Sequence, residues 1–426
     1  MTSPGRASFV LDRSRRLGRL VSLILTLALL AGCGSASSAS SNSLASATAA
    51  AATSPASASC ATTVASTLGT VAARVYHEAA TGGDAAQAVH RMQSSTALAD
   101  AVNSGNAAGA RAALRALLLG QIVRVEVLRG GRVLAQAGAG PAIAPIRGSI
   151  PGTSATFILS SQADQTYLQV VHQVTGAQVL LLAGTRRLAG TTGGPPPASV
   201  PGEGPLSYAG QSYQTVTLAG AVYPSGPLRI LLLVPTSEIS CPGSAAQTRV
   251  ETLGHVGENV YREELHSPDV TATLRRMESS TAFQRAVAAR NVTATHAAID
   301  GFFKAHIHVV RVRVTIGDRL LIDDGGPFVL APVHGTLRSG GRVVGHFEMA
   351  IQDDAGYLKL ARLFTGAEVL MRSGARQIMG TLDPGPASVP DRGAVAYRGR
   401  TYQAYSFSGV AFPEGPLRIS LLLPSG

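Results

Sequence analysis

The sequence predicts an α+β protein built from two tandem copies of one domain. Two observations carry this. First, motifs recur in order. Arg91-Met92-Gln93-Ser94-Ser95-Thr96-Ala97 returns as Arg276-Met277-Glu278-Ser279-Ser280-Thr281-Ala282. Pro197-Ala198-Ser199-Val200-Pro201 returns as Pro386-Ala387-Ser388-Val389-Pro390, and Gly226-Pro227-Leu228-Arg229-Ile230 as Gly415-Pro416-Leu417-Arg418-Ile419. A repeat of this length is domain-sized and far longer than any solenoid period. Second, each copy runs through the same order of periodicities, helical first and strand-like afterwards, which predicts helices packed on an antiparallel sheet.

Taken in order, each copy opens with a long helix. Val64, Leu68, Val71, Ala72, Val75 and Tyr76 share one face in copy one, and Val250, Leu253, Gly257, Val260 and Tyr261 share it in copy two. A second helix follows, and in copy two Ser267-Pro268 reads as an N-cap with proline at the first helical position. A third helix spans 107–119 and 292–304. Strands of alternating Val and Ile follow over 121–128 and 307–314, each closed by a turn, Gly130-Gly131 or Gly317-Asp318. Further strands over 155–160 and 343–351 precede helices over 164–174 and 354–364. An antiparallel run ends each copy, at 227–234 and 416–423.

The segment before the repeat has a different character. Arg13, Arg15, Arg16 and Arg19 lead into an uncharged apolar run over 20–31, too short for the roughly 20 residues that span a bilayer core. Leu30-Ala31-Gly32-Cys33 then resembles a lipobox, the processing signal of bacterial lipoproteins. The resemblance implies cleavage before Cys33, lipid on that cysteine, and an extracytoplasmic chain anchored to the cell membrane. The expected divisions are a signal peptide over 1–32, a Ser/Ala-rich tether over 33–59, and domains over 60–240 and 241–426.

The formal charge of +11 includes the signal-peptide arginines. Lysine occurs only at Lys304 and Lys359, and no basic run carries interleaved aromatics, so no nucleic-acid partner is expected. With Cys33 assigned to lipid, Cys60 and Cys241 remain. An even remainder in an oxidising compartment suggests one disulfide, with two buried free thiols as the second reading.

The passage VVRVRVTIGDRLLIDDGGPFVLAPVHGTLRSGGRVVGHFEMAIQDDAGYLKLARLFTGAEVLM, residues 309–371, resembles the Cache superfamily of extracytoplasmic sensor domains, a PDC-type and PAS-like family. Gly345, Tyr357 and Thr365-Gly366 occupy the family's variable-Gly-strand-helix-Leu-x-Gly-strand positions, and copy one carries a shorter version. The resemblance implies a pocket between the sheet and the helix and loops above it, taking a small carboxylate or amino-acid-like molecule. Tryptophan is absent, so the aromatic and Arg motif of amino-acid-binding double Cache domains is missing. The chain ends just after the last expected strand, so signalling is expected to need a separate membrane protein.

No Walker A loop, His-Glu-x-x-His, Gly-x-Ser-x-Gly or Cys-x-x-Cys occurs, so neither an enzyme nor a cofactor is expected. His306-x-His308 lacks a third ligand nearby and reads as a polar strand face rather than a metal site. Asp354, and Asp164 in copy one, read as helix caps. The ligand-binding candidates are Arg311 and Arg313, whose planar forks suit a carboxylate and which alternate with core-facing valines, together with Arg418 and Tyr357. Solvent-facing charge is an equally good reading of the arginines, and core packing the commoner fate of such a tyrosine. Fewer polar residues line the matching strands of copy one, so copy two is expected to bind. The function expected is a membrane-tethered, ligand-binding sensor lipoprotein; the alternative is a structural or protein-interaction lipoprotein of the envelope.

Overall fold

The computed structural model describes residues 55–426 except 119–121, 242, 305–308, 328, 329, 331, 414 and 426. The expected signal peptide, Cys33, most of the expected tether, and His306 and His308 lie outside the described residues.

In copy one the helices are α1 (Pro55–Thr81), α2 (Gly83–Ser94), α3 (Thr96–Asn103) and α4 (Ala107–Leu117). Strands β1 (Arg124–Arg129), β2 (Arg132–Gly138), β3 (Ala142–Ile143), β4 (Ile146–Ser149), β5 (Ala155–Ser160) and β6 (Gln162–Ala163) follow. After α5 (Asp164–Thr175) come β7 (Gln178–Ala183), β8 (Arg186–Gly190), β9 (Glu203–Tyr208), β10 (Gln211–Ala221) and β11 (Pro227–Pro235). Copy two repeats the order with α6 (Ala245–His266), α7 (Pro268–Ser279), α8 (Thr281–Ala288) and α9 (Val292–Lys304). Then come β12 (Arg311–Ile316), β13 (Arg319–Gly325), β14 (Val333–Ser339), β15 (Arg342–Ala350) and α10 (Asp354–Thr365). The last strands are β16 (Glu368–Ser373), β17 (Arg376–Gly380), β18 (Arg392–Tyr397), β19 (Arg400–Ala411) and β20 (Gly415–Pro424).

The first of the repeated motifs proves to be helix punctuation. In both copies the second serine of the Arg-Met-x-Ser-Ser-Thr-Ala motif caps the next helix, with Ser95 Oγ accepting from Leu98 N and Ser280 Oγ from Phe283 N at 3.3 Å each. The methionines, Met92 and Met277, are fully buried. Ser267 caps α7 with Pro268 behind it, as the sequence predicts. Asp353, not Asp354, caps α10, because only its side chain reaches back to Gly356 N. Asp354 instead accepts from Leu330 N at 3.0 Å in the interior. Asp164 is also buried and bonds Gln165 N at 2.7 Å, and burial raises its pKa.

The α+β class stands, but each copy folds its strands into two main sheets where the sequence predicts one, and copy one adds a two-stranded β3-β6 pair. Copy one holds β2-β1-β5-β4 and β8-β7-β11-β10-β9; copy two holds β13-β12-β15-β14 and β17-β16-β20-β19-β18. All neighbours are antiparallel. The physical reason lies in the second sheets, whose central strands bury both faces. Val179, Leu181, Ile230 and Leu232 face the helices, while Leu180, Leu182, Leu231 and Leu233 pack with Tyr208 and Tyr213 on the far side. Apolar runs of this kind lack alternation and conceal which sheet they join.

The two five-stranded sheets do not have separate cores. Val71 and Ala72 of α1, Val171 of α5, Val256 and Val260 of α6, and Ala361 of α10 belong to one buried cluster with strands of both sheets. Four helices thus lie between two sheets, one from each copy. Each fully buried aliphatic side chain contributes about 1.5–3 kcal/mol, so the seam is a major part of the stability of both copies. The contacts follow a pseudo-two-fold pattern. Arg74 of α1 donates to Phe364 O at the end of α10 (2.9 Å), and Asn259 of α6 donates to Val174 O at the end of α5 (3.1 Å). Cys60 and Cys241 are disulfide-bonded, with Cα atoms 5.9 Å apart, tying the start of α1 to the junction between the copies.

Candidate functional site

The first strand pair of copy two's four-stranded sheet sets the site. Val312 and Val314 of β12, with Phe347 and Met349 of β15, face α7, α8 and α9 in a buried cluster that includes Phe283 and Phe302. Alternation then places Arg311, Arg313, His346 and Glu348 on the opposite face. Register aligns a polar row across the sheet: Asp323 opposite Arg313, Arg313 opposite Glu348, and Glu348 opposite His334. Thr315, His346 and Thr336 form the neighbouring row.

A recess of about 290 Å³ opens here, lined by Arg313, His334, His346, Glu348, Thr336 and Glu278. Glu278 reaches it from α7 by accepting from Thr336 N on the edge strand at 3.0 Å. Gly335 is required in the floor, since a Cβ there would lie 2.2 Å from the Phe347 ring. Arg313 and Glu348 face each other across strands, yet Arg313 makes no ion pair among the described residues. Glu348 Oε2 is sealed from solvent with no hydrogen-bond partner among the described residues. A buried carboxylate oxygen left unpaired carries a full desolvation cost of about 1–3 kcal/mol or more.

The four ligand-binding candidates do not converge. Arg313 alone lines this recess. Arg311 engages the Asp323 carboxylate with Nε at 2.9 Å and Nη2 at 2.8 Å, and its guanidinium lies 4.4 Å from the Phe412 ring centroid. That stack joins the two sheets of copy two, and Arg124 lies 4.7 Å from the ring centroid of Tyr223 in the same way in copy one. Tyr357 does not line the recess. It is fully buried, donates to Gly257 O at 3.1 Å and meets Tyr261 edge to face, as Tyr167 meets Tyr76 in copy one. Its ring fills the seam because its position on α10 points at α6. Arg418 sits on the other sheet, paired with Asp391 at 2.7 Å and donating to Val389 O at 2.8 Å.

Sequence reasoning missed Glu278, His334, His346 and Glu348. For His346 and Glu348 a signal exists, because they alternate with Phe347 and Met349. For Glu278 and His334 none does, since only strand pairing brings them to Arg313.

Copy one closes the equivalent face. Its row reads Gln136, Glu126, Ile158 and Arg147, with Ile158 where copy two has Glu348. Ile158, Ala142 and Tyr223 form a buried apolar cluster there.

Elsewhere, His296 and Asp300 of α9 and Asp324 of β13 bring possible metal-ligand atoms within 4.8 Å of one another. Asp300 also takes Lys304 at 3.3 Å, Asp324 accepts from Gly325 N at 3.0 Å, and His296 contacts Asp324. These half-exposed groups form a local charge network, and no metal is assigned to them. Among the described residues no helix is long and apolar enough to cross a membrane.

The fold and recess define a tandem-repeat α+β protein with a polar, incompletely satisfied sheet face in copy two. No protein-family model matches the chain, and no curated protein matches it. Among solved structures, the periplasmic domain of Vibrio cholerae LuxQ is similar at 12% identity and a TM-score of 0.29, over 41% of this chain and 100% of that one.

Proposed function

We propose that this chain is a non-enzymatic, lipid-anchored extracytoplasmic binding protein that captures a small amino-acid-like molecule in the recess of copy two. The observation that carries the reading is Glu348 Oε2, sealed and unpartnered opposite an Arg313 that makes no ion pair among the described residues. A ligand carboxylate on Arg313 and an amino group on Glu348, with Glu278 alongside, would satisfy both charges together. A few placed polar groups over an apolar floor are what orient a small ligand. Calorimetry against free amino acids is the test. A binder is expected, with affinity lost by about tenfold or more in Arg313→Ala and in Glu348→Gln, the loss of about one charge-assisted contact. No binding across the panel, or wild-type affinity in both variants, refutes it.

Extracytoplasmic placement is supported by the disulfide, a bond that persists in oxidising compartments. Anchoring rests on the lipobox at Leu30-Ala31-Gly32-Cys33. Cys33→Ser is expected to abolish fatty-acid labelling and move the protein out of the membrane fraction; unchanged fractionation rejects the anchor. A separate membrane protein would read the bound state. The structural reading has one specific support, in copy one, whose equivalent face is filled by Ile158, Ala142 and Tyr223.

A further inference from the structure

The pseudo-two-fold seam is unequal on its two sides, and the difference points to a second site independent of the recess on copy two. On one side Arg74 of α1 lies against the C-terminal end of α10. Its Nη1 donates to Phe364 O at 2.9 Å, and its guanidinium rests on Gly366, where a Cβ would come within 2.8 Å of Nη2. Burial pushes the Arg74 guanidinium pKa down, and the charge of Arg249 adds to this. A helix C-terminus, with its unpaired carbonyls and negative dipole end, suits such a cation.

On the other side the equivalent helix end is that of α5. The residue 185 positions after Arg74 is Asn259, and the residue 185 positions before Arg249 is Val64. Two guanidinium groups are thus replaced by an amide and an isopropyl group. Asn259 reaches Val174 O at 3.1 Å, but nothing lies within 4 Å of where a Cβ would sit on Gly176. A cavity of about 340 Å³ results, lined by Val64, Leu68, Gly176, Glu238, Glu251 and His255 among others. Across the pseudo-dyad Ser66 stands for Glu251 and Thr70 for His255. Glu238 makes no ion pair among the described residues. Glu251 holds Arg392 at 2.8 Å, and His255 lies 3.6 Å from Glu258 and 3.1 Å from the Tyr405 hydroxyl. Arg262 also lines the cavity, at its exposed rim, and its guanidinium is turned onto the Asn259 side-chain oxygen.

We infer that this seam cavity binds a small organic cation, a guanidinium or primary ammonium group, seated on the α5 C-terminus where Arg74 sits on the α10 C-terminus. The cation supplies the charge that Asn259 and Val64 lack, beside the Glu251 carboxylate, which Ser66 replaces on the other side. Such a ligand touches both copies at once, because Val64, Leu68 and Gly176 belong to copy one and Glu251 and His255 to copy two.

The test uses the full mature chain and agmatine, which carries guanidinium and ammonium groups and no carboxylate for Arg313. One agmatine is expected to bind per chain and to raise the melting temperature, with glutamate as the contrasting probe that does not compete for it. The double variant Asn259→Arg, Arg262→His installs the copy-one pair Arg74 and His77. It is expected to fold, to fill the cavity with its own guanidinium and to bind agmatine at least about tenfold more weakly. Glu251→Gln is the second variant, expected to weaken binding severalfold with its circular dichroism unchanged. No agmatine binding by the wild-type chain at about 10 mM overturns the inference, as does affinity unchanged in a folded Glu251→Gln protein. If the double variant is unfolded, the Glu251→Gln result decides alone.

Discussion

Replacing Cys60 and Cys241 by serine is expected to cost about 2–5 kcal/mol of stability and to abolish a sharp melting transition at 37 °C and above. The bond closes a loop of 181 residues, for which the chain-entropy relation gives about 5 kcal/mol. Placement adds to this. Cys60 lies on α1 against Thr248 of α6, at 3.9 Å, so the bond clamps the end of the inter-copy seam as well as the ends of copy one. Chemical denaturation of the double variant beside the oxidised protein measures the effect. A midpoint shift equivalent to less than about 1 kcal/mol would show that the seam holds without the clamp.

Cutting the copies apart is the second large perturbation. Residues 55–241 keep the disulfide but expose Val71, Ala72, Val75 and Val171, all buried at the seam. The fragment is expected to have no stable monomer. It should either aggregate or form a homodimer in which each Arg74 reaches the α5 end of the other chain, since the seam already joins two near-equivalent faces. Size-exclusion chromatography with light scattering reads the outcome. A monomer that melts cooperatively at tens of micromolar would show that each copy carries a sufficient core of its own. The same expectation means that ligand studies belong on the whole chain, not on separated copies.

Much of the secondary structure is legible in the sequence because its causes are local. The apolar face of α1 at Val64, Leu68, Val71, Ala72 and Val75 follows from helical spacing, and all five are buried. Ser267-Pro268 identifies the start of α7 because a cap needs only three adjacent residues. The Cys60–Cys241 bond follows from parity once Cys33 is set aside. The site was much less legible. Arg313 was identified by alternation with Val312 and Val314, but Glu278, His334 and Glu348 reach it only through the β14–β15 and β12–β15 registers. Tyr357 illustrates the opposite limit, since a tyrosine opening a helix has the same sequence whether it covers a pocket or fills a core.

The sequence alone determined the repeat, several helix starts and the alternating strands around Arg313, and it suggested the cysteine pairing that the structure shows. Each depends on neighbours within a few turns or on simple counting. Tertiary structure alone decided that each copy makes two main sheets, that α1, α5, α6 and α10 share one core, and that Arg311 is committed to Asp323 and Phe412. It also decided which side of the seam is left open. An apolar helix face or an all-apolar strand such as 230–234 specifies that it must be buried, with the same residues whatever covers it. Which surface does the covering depends on the global packing of both copies, and a difference as small as Arg74 against Asn259 becomes a cavity only after that packing has brought two helix ends to the seam.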